Sequence, residues 1–508
     1  MLKVGPLTNR HNVTHVTELR ATMPDGVELV ADAWHPEGEG PWPVLLQRLP
    51  YGRTVASSVV LPHPVHLARR GYAVVVQDVR GRGSSDGTFE PFVHEADDGA
   101  ATVEWAARLP FADGQVGMYG FSYQGLATLL AAGRRPPSLK AIAPVMCAAD
   151  PYEGWTYEGG CLQWTFVPFW ADLLTGRGTG YDLAALPTAG ALGEDPPEWF
   201  RQWLDHRTPD AWWAARSPDL DAIDVPALYI GGWQDTFRSS MGRLLDRLGA
   251  EAVLGPWAHM PWRDPGPAHE RFIGFFDRVL RGVGAPPPRV TYFTAGVGWQ
   301  DAPAWPPPTV EVHRWTGTSD GDAASRHGDG RLVPGAADPG PADILAAEPL
   351  VPVPGTLEPA TDETATEDRR DVLCYTSAEL ERPLVLTGAA TVEVGSRADV
   401  ATHDVIASLT DVAPDGTSTR LCTGAVRQPA SGTSIGRVTT VELAPISHCL
   451  PAGHRLRLDL SASRFPAFDR NPQHPTVEPH RATRDDCRVA LIEVHAVEVH
   501  LPVNVMSG

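Results

Sequence analysis

Short apolar runs separated by amphipathic stretches fill roughly the first 145 residues. Val44-Leu45-Leu46 and Tyr72-Ala73-Val74-Val75-Val76-Gln77 read as strands, and three adjacent valines suit a strand buried on both faces. The stretch EADDGAATVEWAARL, 95–109, predicts a helix whose acidic residues complement the dipole of its first turn. A strand over 116–119, a helix over 123–134 and a strand over 139–144 follow. Strands alternating with helices predict βαβ units and a mostly parallel sheet.

The pattern changes after residue 145. Seven tryptophans (Trp155, Trp164, Trp170, Trp199, Trp203, Trp212 and Trp213) crowd a region without β alternation, which predicts a helical insertion over 146–222. Strand signals resume at 226–232 and 252–255, and 269–281 reads as a closing helix. Residues 318–370, rich in Gly, Pro, Asp and Ala, read as a long loop region. Beyond it, alternating runs such as Ala390-Thr391-Val392-Glu393-Val394 and His454-Arg455-Leu456-Arg457-Leu458-Asp459-Leu460 predict an all-β sandwich or jelly roll. The expected division is an α/β domain over 1–145 and 223–308, a helical cap over 146–222, and a β domain over 309–508.

A chain of 508 residues exceeds what one core usually serves, which agrees with several domains. The net charge of −20 argues against nucleic acid or an anionic membrane surface as partner. The six cysteines are scattered, with no C-x-x-C pair, which suits buried, inert thiols in a reducing compartment. The first residues carry no signal-peptide core, and no uncharged apolar run is long enough to span a bilayer. A cytoplasmic enzyme is the expectation.

The candidate chemistry begins at Gly120-Phe121-Ser122-Tyr123-Gln124-Gly125, where a predicted strand turns into a predicted helix. A serine in such a turn stands above the sheet, and the amide of the next residue, Tyr123, points to where an oxyanion would form. The bare pattern is weak, since many serines sit between glycines in ordinary turns. Serine needs a base, and the base needs an orienting carboxylate. Asp235 and His259 follow the strand signals at 226–232 and 252–255, in the chain order Ser, Asp, His that open sheets of this type use. Taken singly, Asp235 reads as a helix N-cap and His259 as a surface histidine. The three together, each at a strand end, favour a triad.

Several stretches resemble the cocaine esterase family, related to X-Pro dipeptidyl peptidases and α-amino-acid ester hydrolases. They are Arg48-Leu49-Pro50-Tyr51, Gln77-Asp78-Val79-Arg80-Gly81-Arg82-Gly83, the Ser122 turn, Gly232-Trp233-Gln234-Asp235 and Gly255-Pro256-Trp257-Ala258-His259. Thr410-Asp411-Val412-Ala413-Pro414-Asp415-Gly416 and Phe465-Pro466-Ala467-Phe468-Asp469-Arg470-Asn471-Pro472 also match. The resemblance implies an α/β-hydrolase domain, a helical cap and a C-terminal jelly roll. It implies that Ser122, Asp235 and His259 form the triad, and that the Tyr51 hydroxyl and the Tyr123 backbone N–H form the oxyanion hole. Local pattern alone would make Tyr51 a core or turn tyrosine.

The run 78–83 lacks phosphate-loop spacing and reads as a structural turn with Asp78 and Arg80 paired. Trp155, Trp164 and Phe237 are candidate walls of a substrate pocket, with packing of the cap as the alternative for the two tryptophans. The leading function is hydrolysis of a small-molecule carboxylic ester through an acyl-enzyme. An amidase or X-Pro-type aminopeptidase would need a carboxylate for the substrate amine, and Glu153 and Glu158 are the candidates. Acyl transfer and a non-catalytic binding role are the remaining alternatives. No cofactor is expected, and no metal, since no His/Asp/Glu cluster has ligand spacing. Exposed sheet edges would permit a homodimer.

Overall fold

The computed structural model describes residues 11–55, 58, 60–176, 196–260, 262, 264–357, 361–428 and 437–505. The chain forms two compact units. One comprises residues 1–151 and 211–291, the other 152–210 and 292–508.

The first unit is built on β1 (Val13–Thr22), β2 (Glu28–Pro36), β3 (Trp42–Leu49), β4 (Ala73–Asp78), β5 (Ala112–Phe121), β6 (Leu139–Val145), β7 (Leu228–Gln234) and β8 (Glu251–Ala258). Their spatial order is β1-β2-β4-β3-β5-β6-β7-β8. β1 and β2 pair antiparallel, and β2 runs antiparallel to β4. From β4 to β8 every pairing is parallel. Parallel strands need crossovers, and helices α1 (Glu95–Ala106), α2 (Tyr123–Gly133), α5 (Met241–Leu248) and α6 (Gly266–Arg281) accompany them. This is the α/β-hydrolase architecture. β4 is buried at all six positions, as its valine run predicts for a strand covered on both faces. The antiparallel pair β1–β2 carries no comparable apolar run and was not among the predicted strands.

In the second unit, helices α3 (Val167–Thr175) and α4 (Glu198–Asp205) bring Trp170, Trp199 and Trp203 into mutual contact, with ring centroids 5.0–5.8 Å apart. The remainder is mostly sheet. Its long strand Ala490–Asn504 pairs antiparallel with Val310–Thr318, Thr391–Ala398 and Asp343–Ala347. Val392, Leu409, Leu458, Val499 and Leu501 supply fully buried core positions. Both alternating runs predicted at 390–394 and 454–460 lie in strands, Thr391–Ala398 and Arg455–Ser461. The reading of 318–370 as a long loop is corrected. It contains the strands Arg331–Pro334 and Asp343–Ala347, both paired into the sheet. Their own sequences, four and five residues long, are too short to show a period. The partner strands provide what local pattern does not. Among the described residues no helix is long and apolar enough to cross a membrane.

Candidate active site

β5 delivers the chain to Ser122, and α2 carries it away. Ser122 has φ 63° and ψ −124°, a conformation that L-residues with side chains seldom adopt. The strain is held by the surroundings. The Ser122 amide donates to the Val145 carbonyl at 2.9 Å, and the Ser122 carbonyl accepts from Gly125 N at 2.9 Å and Leu126 N at 3.2 Å. Gln124 Oε1 accepts from the Phe121 amide at 3.3 Å and from Gln47 Nε2 at 2.7 Å, tying the turn to β3. The tightness explains Gly120: a Cβ there would lie 2.4 Å from the carbonyl carbon of Gln124.

Asp235 and His259 lie immediately past β7 and β8, so the sheet presents all three side chains at its carboxyl edge. His259 Nε2 is 3.1 Å from Ser122 Oγ, and His259 Nδ1 is 2.5 Å from Asp235 Oδ1. A carboxylate only accepts, so Nδ1 carries the proton donated to Asp235. Nε2 is thereby left to accept from the serine hydroxyl. Asp235 is fully buried, and its second oxygen has no hydrogen-bond partner among the described residues. Phe121 packs on the imidazole at 4.5 Å between ring centroids, and Phe237 meets it nearly perpendicular at 5.2 Å. Phe237 is fully buried beside His259. Behind the turn, burial pushes the Cys147 thiol well above its ordinary range, and the charge of Asp235 adds to this. Cys147 is inert at neutral pH.

Tyr123 divides its functions. Its side chain is buried, stacks on Phe92 at 4.7 Å, and donates its hydroxyl to Glu95. Burial, followed by the neighbouring Glu95, holds the phenol protonated far above neutral pH. Its backbone N–H belongs to the first turn of α2, beyond reach of that helix's own carbonyls. Tyr51, half-buried, lies two residues past β3, with its ring 6.4 Å from that of Tyr123 at 73°.

Glu95 and Arg48 are residues that sequence reading did not single out as part of this site. Glu95 opens α1, where an acidic residue reads as a dipole complement, yet it is buried. Burial raises its carboxyl, opposed by the Arg48 charge and the Tyr123 hydroxyl. Arg48, fully buried, donates to Gln77 Oε1 at 2.9 Å and to the Glu95 carbonyl at 3.2 Å. The expected Asp78–Arg80 pair is also corrected. Asp78 binds the guanidinium of Arg53, while Arg80 binds Asp98 and Asp25. Charges two residues apart in this turn thus meet different partners.

Trp155 and Trp164 lie in the second unit and are buried there. Trp155 packs edge-on against Phe166 and Trp170, and the Trp164 amide donates to the Ala467 carbonyl at 2.9 Å. Glu153 accepts from the Gly159 amide at 3.1 Å. Among the described residues, the group with metal-ligand proximity is Glu393, Glu498 and His500 on the second unit's sheet, where Arg314 is paired with Glu498.

The family model for X-Pro dipeptidyl-peptidase (S15 family) matches residues 25–261, and that for the X-Pro dipeptidyl-peptidase C-terminal non-catalytic domain matches residues 281–497. The chain is 30% identical to the cocaine esterase of Rhodococcus sp. (strain MB1 Bresler), covering 91% of this chain and 92% of that one. An aminopeptidase from a marine sediment archaeon, Thaumarchaeota archaeon, shares the fold with a TM-score of 0.82 at 21% identity, over 99% of this chain and 98% of that one. An α-amino acid ester hydrolase structure gives the same values. The matches along both units have one reading: the chain belongs to the cocaine esterase and X-Pro dipeptidyl-peptidase (S15) family and is a serine hydrolase.

Proposed function

We propose that this protein hydrolyses a small-molecule carboxylic ester, with Ser122 as nucleophile, His259 as general base and acid, and Asp235 as orienting carboxylate. The observation that carries the reading is the hydrogen-bonded chain from Asp235 through His259 to a strained Ser122. Ser122 Oγ attacks the ester carbonyl while His259 Nε2 takes its proton. The imidazolium then protonates the departing alcohol. Asp235, buried and already bonded to Nδ1, stabilises that imidazolium in a medium where charge is poorly screened. The Tyr123 amide and the Tyr51 hydroxyl hold the oxyanion, and water resolves the acyl-enzyme by the same steps in reverse. The cocaine esterase relative, matched along nearly its whole length, supports an ester over an amide.

The test is a panel of p-nitrophenyl esters, amino-acid esters and X-Pro anilides, with fluorophosphonate labelling, on wild type and Ser122→Ala. Ester turnover and labelling are expected in wild type, with turnover falling about 10⁴-fold or more and labelling lost in Ser122→Ala. A wild type that cleaves nothing and takes no label ends the hydrolase reading. Preference for the anilides would move the assignment to an aminopeptidase. Acyl transfer to an added amine or alcohol in place of water would mark an acyltransferase.

A further inference from the structure

The arm bearing Tyr51 leaves the sheet at Leu49, the last residue of β3, and turns at Gly52 with φ +91°. Beyond β3 it has no ladder partner among the described strands to fix it. A donor that must meet an oxyanion cannot sit on a loose arm, because a misplacement of about 1 Å costs about 10²-fold in rate. The turn 78–83, left as merely structural by its sequence, grips this arm on both sides of Tyr51.

On the N-terminal side, Arg82 Nε donates to the Pro50 carbonyl at 2.7 Å. The guanidinium lies over the Phe89 ring, 5.2 Å from its centroid, which fixes the plane of the donor. On the C-terminal side, Asp78 Oδ1 accepts from the Arg53 amide at 2.7 Å, and Asp78 Oδ2 accepts from Arg53 Nη1 at 2.5 Å. Asp78 is itself held. Its Oδ2 accepts from Ser84 N at 3.3 Å and its carbonyl accepts from Ser85 Oγ at 2.7 Å. Gly83 is there because a Cβ would stand 2.0 Å from Asp78 Oδ2. Arg53 and Asp78 are 6% and 1% exposed, so these bonds are made out of water's competition. Arg80, between the two grips, points instead to Asp98 on α1 and anchors the turn to the body of the unit.

We infer that Arg82 and Asp78 are positioning residues that clamp the arm 50–53 and thereby hold the Tyr51 hydroxyl at the oxyanion site. The inference rests on the assignment of Tyr51 to the oxyanion hole. Arg82 bonds the backbone carbonyl that precedes Tyr51, which makes it a positioning residue for that side chain.

A double-mutant cycle separates the clamp from the assignment it rests on. With the best ester of the panel, Tyr51→Phe is expected to lower kcat about 10²-fold, the cost of one oxyanion donor, with KM little changed. Arg82→Gln should lower kcat about 10-fold or more, again with KM little changed. In the Tyr51→Phe background the same Arg82→Gln change should cost less than about twofold, because the donor it positions is gone. Arg82→Lys, which keeps one donor for the Pro50 carbonyl, should recover most of the rate. A merely structural role would give equal costs in both backgrounds, and that additivity overturns the clamp. So does an Arg82→Gln enzyme with undiminished kcat. If Tyr51→Phe itself is fully active, the assignment of Tyr51 falls and the clamp with it, a result distinct from additivity. Melting temperatures establish that each variant folds. Should Arg82→Gln not fold, Arg82→Ala in its place, read against Arg82→Lys, carries the same cycle.

Discussion

Two buried aspartates, one in each unit, show opposite uses of the same group. Asp469, in the second unit, has its bonding capacity filled. It accepts from the Leu162 amide at 2.9 Å, from Arg207 at 3.0 Å and from Arg427 at 3.1 Å. Burial alone would raise its carboxyl, but the charges of Arg427 and Arg207 outweigh that and hold it below the usual range. Asp235, in the first unit, is equally buried, but only Oδ1 has a hydrogen-bond partner, His259 Nδ1, and Oδ2 has none among the described residues. A saturated carboxylate is a staple: it joins the segment around Leu162 to the strand bearing Arg427 and has nothing left to give. A carboxylate left half-satisfied gains most when its one partner becomes charged, as the proposed mechanism has His259 do.

The comparison breaks first at Asp235. Asp235→Asn is expected to leave the fold intact and lower kcat about 10⁴-fold, because the amide favours the wrong imidazole tautomer. Steady-state kinetics with the best ester of the panel checks it; a loss under tenfold would make Asp235 a staple too. Next in size is Asp469→Ala, which leaves Arg207 and Arg427 buried with less compensation. It should destabilise the protein by about 3–5 kcal/mol at pH 7, measured by denaturant unfolding, while Ser122 remains labelled in the folded fraction. The sign with pH follows from the depressed carboxyl. Its contribution is full above the unfolded aspartate value of about 3.9 and is lost as pH falls through the lower folded value. The gap between wild type and Asp469→Ala should therefore close in acid. A gap constant from pH 7 to pH 3 would show that charge is not what Asp469 supplies. The smallest expected effect on stability is at the turn. Gly120→Ala places a Cβ against the Gln124 backbone and should cost about 1–3 kcal/mol. Fluorophosphonate labelling should slow in the same variant, since the turn that strains Ser122 must shift. Labelling at the wild-type rate would mean that the turn tolerates the added methyl.

Much of the first unit was legible because its signals are local. The valines of β4 report burial on both faces, and the strand–turn–helix at Ser122 is written in adjacent residues. The pairing of charges was not. Asp78 and Arg80 are two apart and opposite in sign, yet Asp78 binds Arg53, 25 residues away. Glu95 reads as a helix-start acid until the sheet brings Tyr123 over it. The tryptophans at 155 and 164 gave an aromatic signal that fits a pocket wall or a core equally well, and both are buried in the second unit.

By itself, then, the sequence determined the alternating βαβ pattern of a mostly parallel sheet, a serine in a glycine-flanked strand-to-helix turn, and the order of Ser122, Asp235 and His259 at strand ends. These follow from periodicity, glycine placement and short-range turn chemistry, which act along the chain. Tertiary structure alone decided which charges meet, which short strands of 331–347 find a sheet, and which loop holds Tyr51. Those depend on distances between segments remote in sequence, where a hydrogen bond of 2.7 Å from Arg82 to Pro50 has no trace in the pattern of either segment.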